Sequence, residues 1–149
     1  MKSIHENVSQ QTLETKIELR NRAETIKNRL CLLSGTDKLI MLMYIDNGIS
    51  IRTIAKLAGI GETKLSRRIR KLSKRLTDSR YLTCLRYRGK FGDDELVLAK
   101  QYFVDGFSIR RIAREKNDSY YKVREQIKQI KQIIEAIEML EGHKAGRAS

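Results

Sequence analysis

One stretch of the chain groups side chains that could do chemistry together. Between Glu62 and Leu76, Lys64, Ser66, Arg67, Arg70, Lys71 and Lys74 fall on one side of a helix whose other side carries Leu65, Ile69, Leu72 and Leu76 at three-to-four spacing. Guanidinium and ammonium groups in such a row neutralise phosphates, and neighbouring Ser, Thr or Glu can hydrogen-bond base edges. The chemistry is recognition of a polyanion; the plainer reading is a solvated charged face. No competing chemistry is in view. There is no GxxxxGK, GxSxG or HExxH spacing, and no carboxylate is set with a His or Cys partner, so no enzyme is expected. His5 and His143 lie near the chain ends, and Cys31 and Cys84 stand alone without a CxxC pair. Neither metal nor cofactor is therefore expected, and the two thiols read as reduced packing residues.

The elements that must position this row are two helices joined by a tight corner. Ile54, Leu57 and Ala58 share one helical face, Gly59 can take the left-handed conformation a corner needs, and the apolar spacing restarts at Leu65. This is the grammar of a helix-turn-helix, whose second helix enters the major groove with its N-terminal residues at base edges. Double-stranded DNA is the partner it implies. The whole composition agrees: 149 residues, 40% hydrophobic, carry a net charge of +13 and a pI near 10, which favours a nucleic acid or an anionic membrane surface. Against a membrane, no apolar run approaches the ~18 residues of a span, and MKSIHENVSQQ lacks the apolar core of a signal peptide. A cytoplasmic, nucleoid-associated protein of bacterial or phage type is expected.

Taken in order, residues 1–33 read as a polar start followed by an amphipathic helix from about Ser9 to Leu33. Its stripe is Leu19, Ala23, Ile26, Leu30 and Leu33. That stripe either packs on the following unit or self-associates. Ser34-Gly35-Thr36 breaks the helix, and Thr36 or Asp37 opens an apolar one through Leu39, Ile40, Met41, Leu42 and Met43, expected to be buried. Asn47-Gly48 closes it and Ser50 caps the next, so residues 34–76 form the first unit. Residues 77–92 read as a basic linker in which Arg80, Tyr81, Arg86, Tyr87, Arg88 and Lys90 interleave charge with aromatic rings. The alternative is that Tyr81-Leu82-Thr83-Cys84-Leu85 covers a core.

At an offset of 58 residues the pattern returns. Tyr44, Gly48, Ser50, Ile51, Arg52, Ile54, Ala55, Lys64 and Ile69 recur as Tyr102, Gly106, Ser108, Ile109, Arg110, Ile112, Ala113, Lys122 and Ile127. Residues 93–141 are thus a second copy, in which Asn117 replaces Gly59 and Ser119 can cap. The copies differ in charge. Residues 37–76 hold ten Lys and Arg against three Asp and Glu, whereas residues 93–141 hold nine against ten. If the second copy also meets DNA, Arg110, Arg111, Tyr120, Tyr121, Lys122 and Arg124 are its contacts; otherwise it is a protein contact.

Ile54-Ala55-Lys56-Leu57-Ala58-Gly59-Ile60, with Leu65, Arg68, Ile69 and the closing Lys74-Arg75-Leu76, resembles region 4 of the sigma-70 family of transcription factors. The likeness extends back through Asn47-Gly48-Ile49-Ser50 and covers about 40 residues, more weakly repeated at 93–134. It implies an all-α domain that reads a promoter element through its last helix and touches RNA polymerase. Residue by residue, it implies base reading by Glu62, Thr63, Ser66 and Arg67. Backbone contacts would come from Arg52, Lys64 and Arg70, which Lys71 and Lys74 extend. The chain has no segment like the aromatic region 2 that opens promoters, so a region-4-like regulator is expected rather than a complete sigma factor. Two other readings remain: a recombination or transposition accessory protein binding an asymmetric element through both units, and a polymerase-binding adaptor that needs no DNA.

The last helix outruns its unit. From near Ser119 its stripe of Val123, Ile127, Ile130, Ile134 and Ile137 continues to about Leu140, before a tail at 142–149 expected to be disordered. An exposed isoleucine row would be an aggregation liability. It should therefore pair with the N-terminal stripe as an intramolecular clamp, or with its own copy in a homodimer. The architecture expected is all-α: tandem helix-turn-helix units of three helices, flanked by amphipathic helices at each end.

Overall fold

The computed structural model describes Leu13, Ile17 and residues 20–148, the last six by backbone alone. The expected cap Ser9 and the stripe residue Leu19 lie outside the described residues. The fold is all-α, with no strand among the described residues, and it divides between Thr77 and Asp78 into two compact units.

Among the described residues the first unit has four helices. Helix α1 covers 20–28 and ends in a 3-10 turn, Leu30–Leu32; α2, Gly35–Met41, runs into a π turn, Leu42–Asp46; α3 is Ile51–Ala58 and α4 is Glu62–Thr77. The sequence dictates the joints. Ser50 Oγ accepts from the Thr53 N–H at 3.2 Å, satisfying a donor that the first turn of α3 leaves without a helical partner. Gly59 ends α3 at φ +67, where a Cβ would be strained, and the Ile60 N–H reaches back to the Ala55 carbonyl at 3.1 Å. The corner is only three residues long, so α4 begins at once.

One face of α4 forms the floor of this unit. Leu65, Ile69, Leu72 and Leu76 are all buried, under Ile26, Leu30, Leu33, Ile40, Met41, Ile54 and Ala55 from the preceding elements. At about 1.5–3 kcal/mol for each large side chain taken out of water, this face is the main gain in folding the unit. Polar ties fix the surrounding helices. Arg68 on α4 pairs with Asp37 on α2 at 2.6 Å, Lys27 with Asp46 at 3.2 Å, and Arg29 Nη1 donates to the Leu76 carbonyl at 2.7 Å, where α4 is running out of backbone donors.

The second unit repeats the first element by element. Helix α5, Arg80–Arg86, ends in the 3-10 turn Arg88–Lys90; α6, Asp93–Ala99, runs into the π turn Lys100–Val104; α7 is Ile109–Lys116 and α8 is Tyr120–Ala148. From the 3-10 turn to the start of the last helix, every boundary is displaced by the same 58 residues. The joints repeat too. Ser108 Oγ caps α7 on the Arg111 N–H at 3.1 Å, Asn117 takes the left-handed position at φ +57, and the Asp118 N–H reaches the Ala113 carbonyl at 2.9 Å. Ser119 Oγ accepts from the Lys122 N–H at 3.1 Å, as its position suggests. Even the π turns close alike, Asn47 on Leu42 and Asp105 on Lys100, both at 3.0 Å.

Several sequence expectations are corrected here. Residues 77–92 are not a linker: α5 lies within them, Thr83 and Cys84 are buried, and the segment is the counterpart of α1. Each unit therefore has four helices rather than three. The N-terminal helix is no separate element, and it yields to the 3-10 turn after residue 28 instead of running to Leu33. Leu57 is 70% exposed and Leu39 56% exposed, while Ala55 joins Ile54 in the core. Residues 142–148 continue α8 to Ala148 where a disordered tail is expected.

The isoleucine row is the main correction. Ile127, Ile130, Ile134 and Ile137 are buried in the second unit's own core with Cys84, Phe91, Leu98, Phe103, Ile112 and Val123. Ile127, Ile130 and Ile134 are the counterparts of Ile69, Leu72 and Leu76 on α4, and Ile137 extends the same buried row, so the four are available neither for a homodimer nor for a clamp on the N-terminal helix. Ile130→Ala should accordingly cost about 2–5 kcal/mol. Ile130→Asp should melt the second unit and leave the exchange protection of α3 and α4 intact. Hydrogen exchange resolved along the chain measures this. Loss of a dimer with the second unit still fully protected would contradict the burial.

Candidate nucleic-acid interface

The buried face of α4 determines what its other side presents. Thr63, Arg67, Arg70 and Lys74 fall at intervals of four, three and four along the side opposite the core, flanked by Lys64 and Lys71, and all six are exposed. Glu62 is exposed in the first turn, where a carboxylate faces the positive end of the helix. Arg52 and Lys56 are exposed on α3. Among the described residues, none of Arg52, Lys56, Lys64, Arg67, Arg70, Lys71 and Lys74 is paired with a carboxylate. By contrast, Arg68, on the flank towards α2, is bound to Asp37 and belongs to the fold.

The expected base-reading set is therefore split. Glu62, Thr63 and Arg67 lie on the exposed side, but Ser66 is half-buried on the flank of α4, beside Ile69 and Ser73 in a groove of the same unit. Of the backbone set, Arg52, Lys64, Lys71 and Lys74 are exposed as expected, while Arg70 stands at the edge between the outward side and that groove. Lys56 joins the set unforeseen. Its one legible signal was its place four residues after Arg52, one helical turn on.

The equivalent face of the second unit is different chemistry. At the positions of Thr63, Arg67, Arg70 and Lys74 stand Tyr121, Glu125, Lys128 and Gln132. Two of the cations expected to contact DNA are already engaged: Arg111 pairs with Glu115 at 2.9 Å and covers the Phe107 ring at 3.7 Å, and Lys122 pairs with Asp118 at 3.3 Å. Arg110 and Arg124 are exposed, with Tyr120 and Tyr121 exposed at the start of α8. This face is nearly neutral and aromatic.

No protein-family model, curated protein or solved structure matches the chain. Among the described residues, no helix is long and apolar enough to cross a membrane.

The two cysteines differ sharply. Cys31 is exposed, whereas burial in the second core pushes the Cys84 thiol up to about 11. Only the thiolate reacts readily, so at pH 8 a water-soluble alkylating reagent should modify native protein once, at Cys31, and unfolded protein twice. Mass spectrometry of the two adducts measures the ratio. Rapid labelling of Cys84 in the native chain would show that α5 does not pack as described.

Proposed function

We propose that the chain binds double-stranded DNA through its first unit, with α4 in the major groove, as a region-4-like regulator of transcription. The observation that carries this reading is the row of exposed, unpaired cations on α3 and α4. Seven like charges held without carboxylate partners raise the self-repulsion of the folded state, and a polyanion relieves it. Thr63 and Arg67, at the N-terminal end of α4, take the positions from which a recognition helix meets base edges. Lys64, Arg70, Lys71 and Lys74 then meet phosphates, with Arg52 and Lys56 on the strand backbone beside them. The aromatic face of the second unit, where Arg111 and Lys122 are already paired and Glu125 stands at the position of Arg67, suits a protein surface such as RNA polymerase better than a second stretch of phosphates.

Three measurements on the full chain test this. Affinity for duplex DNA should fall with salt at a slope of about −0.9 per phosphate contact. Removing charge from the first unit with Lys71→Gln and Lys74→Gln should flatten the slope by about two, while Lys122→Gln and Lys128→Gln should hardly change it. Arg67→Ala should lose about 1–3 kcal/mol on the preferred site and relax the preference, measured by selection from a random duplex pool. Salt-independent binding, or equal effects of the two lysine pairs, would overturn the assignment to α4.

A further inference from the structure

The two units share a backbone plan, so a site filled in one and open in the other can be compared residue by residue. In the first unit a groove of about 370 Å³ is lined by Ala23 and Ile26 of α1, Tyr44 and Ile45 of the π turn, Ile51, and Ser66, Ile69, Arg70 and Ser73 of α4, with Arg22 at its rim. Its floor is apolar. Arg22 and Arg70 are exposed, and neither is paired with a carboxylate among the described residues.

The counterpart positions in the second unit are larger and packed together. Tyr81 replaces Ala23, Phe103 replaces Ile45, and Lys131 replaces Ser73. Tyr81 packs on the core, Tyr102 meets Phe103 edge to face at 5.2 Å, and Lys131 lies 3.3 Å from the Tyr102 hydroxyl. Arg80, the counterpart of Arg22, covers the Phe103 ring at 4.5 Å and is bound to Asp78 at 2.7 Å. The second unit thus shows what this site holds when full: aromatic rings against the isoleucine floor, a guanidinium over a ring, and an anion on that guanidinium. In the first unit the ring of residue 81 has become a methyl group at Ala23, and residue 20 lies inside α1 where the second unit has Asp78 in the turn before α5, so among the described residues no carboxylate stands on Arg22 as Asp78 stands on Arg80.

We infer that the groove between α1, the π turn and α4 of the first unit binds a small aromatic anion, with its ring over Ala23, Ile26 and Ile69 and its charged group between Arg22 and Arg70. The ring takes the space that Tyr81 fills in the second unit, and the carboxylate or phosphate meets Arg22 as Asp78 meets Arg80. The volume lies within the ~300–1,000 Å³ range of small-ligand sites, and a guanidinium against a carboxylate or phosphate is the strongest polar contact available to it. Because Ser66 and Arg70 belong to α4, occupancy would withdraw one cation from the helix proposed to face DNA. That consequence rests on the DNA reading, whereas the binding itself is measured without DNA.

The test is fluorine NMR of 4-fluorophenyl phosphate and 4-fluorobenzoate added to the full chain, with a fluorinated alkyl phosphate as the control for charge alone. The aromatic probes should broaden and shift at millimolar concentration or below, and the aliphatic one should not. Ala23→Tyr, which copies the second unit's filling, should abolish the effect, as should Ser73→Leu, which fills the groove without adding charge, if the tyrosine variant loses helicity. Arg22→Gln with Arg70→Gln should weaken binding about tenfold or more, as expected for loss of charge-assisted contacts. A response to one aromatic probe alone would identify the charged group as phosphate or carboxylate and would still support the site. Equal response to the aliphatic control, retention of binding in a folded Ala23→Tyr or Ser73→Leu variant, or no response from either aromatic probe would overturn it. Duplex binding measured without the probes is unaffected by that result, so the two readings fail separately.

Discussion

The stripe of Leu65, Ile69, Leu72 and Leu76 is the constraint from which the rest of the first unit follows. Burying four large side chains on one side of α4 fixes the helix's rotation about its own axis. Thr63, Arg67, Arg70 and Lys74 then have no choice of direction, because they lie on the opposite side of the same cylinder. The short corner at Gly59 ties α3 to that rotation, and Arg29 closes the far end on the Leu76 carbonyl.

Much of this could be read from residues alone. Three-to-four spacing placed the buried side of α4, Ser50 and Ser108 announced their caps, and Gly59 and Asn117 marked the left-handed corners because few other residues tolerate them. Helix α5 was harder. Its only identities with α1 are Arg22 with Arg80 and Thr25 with Thr83, and its buried residues, Thr83 and Cys84, are not the apolar types that betray a helix face. With α5 taken for a linker, the second core lacked a wall, and the isoleucine row of α8 looked unpartnered when it was already covered. Leu57 failed for a different reason: eight residues make little more than two turns, and faces centred on Ala55 or on Ala58 satisfy the same periodicity. The groove in the first unit was illegible because it consists of side chains that are small, and absence of bulk has no pattern until the fuller copy stands beside it.

The two copies separate stability from display. Positions that face inward exchange one apolar residue for another, as Leu65 for Val123 or Leu72 for Ile130, whereas outward positions change sign and type, as Arg67 for Glu125 or Lys74 for Gln132. Packing constrains volume and polarity on one side and leaves the other free for whatever partner the surface meets. Divergence on the exposed side produces two surfaces on one scaffold.

A gapless duplication also sets a problem for the chain while it folds. Helix α1 and helix α5 are built to cover nearly the same kind of floor, so during collapse each has two acceptable places to land, and repeats of this kind are prone to exchanging partners. The enlarged side chains of the second copy sort the outcomes. Tyr81 fills its own site, while Ala23 laid on the second floor would leave a hole where that ring belongs. The differences in bulk between the copies thus act as a key that tells otherwise interchangeable helices which half of the chain is theirs.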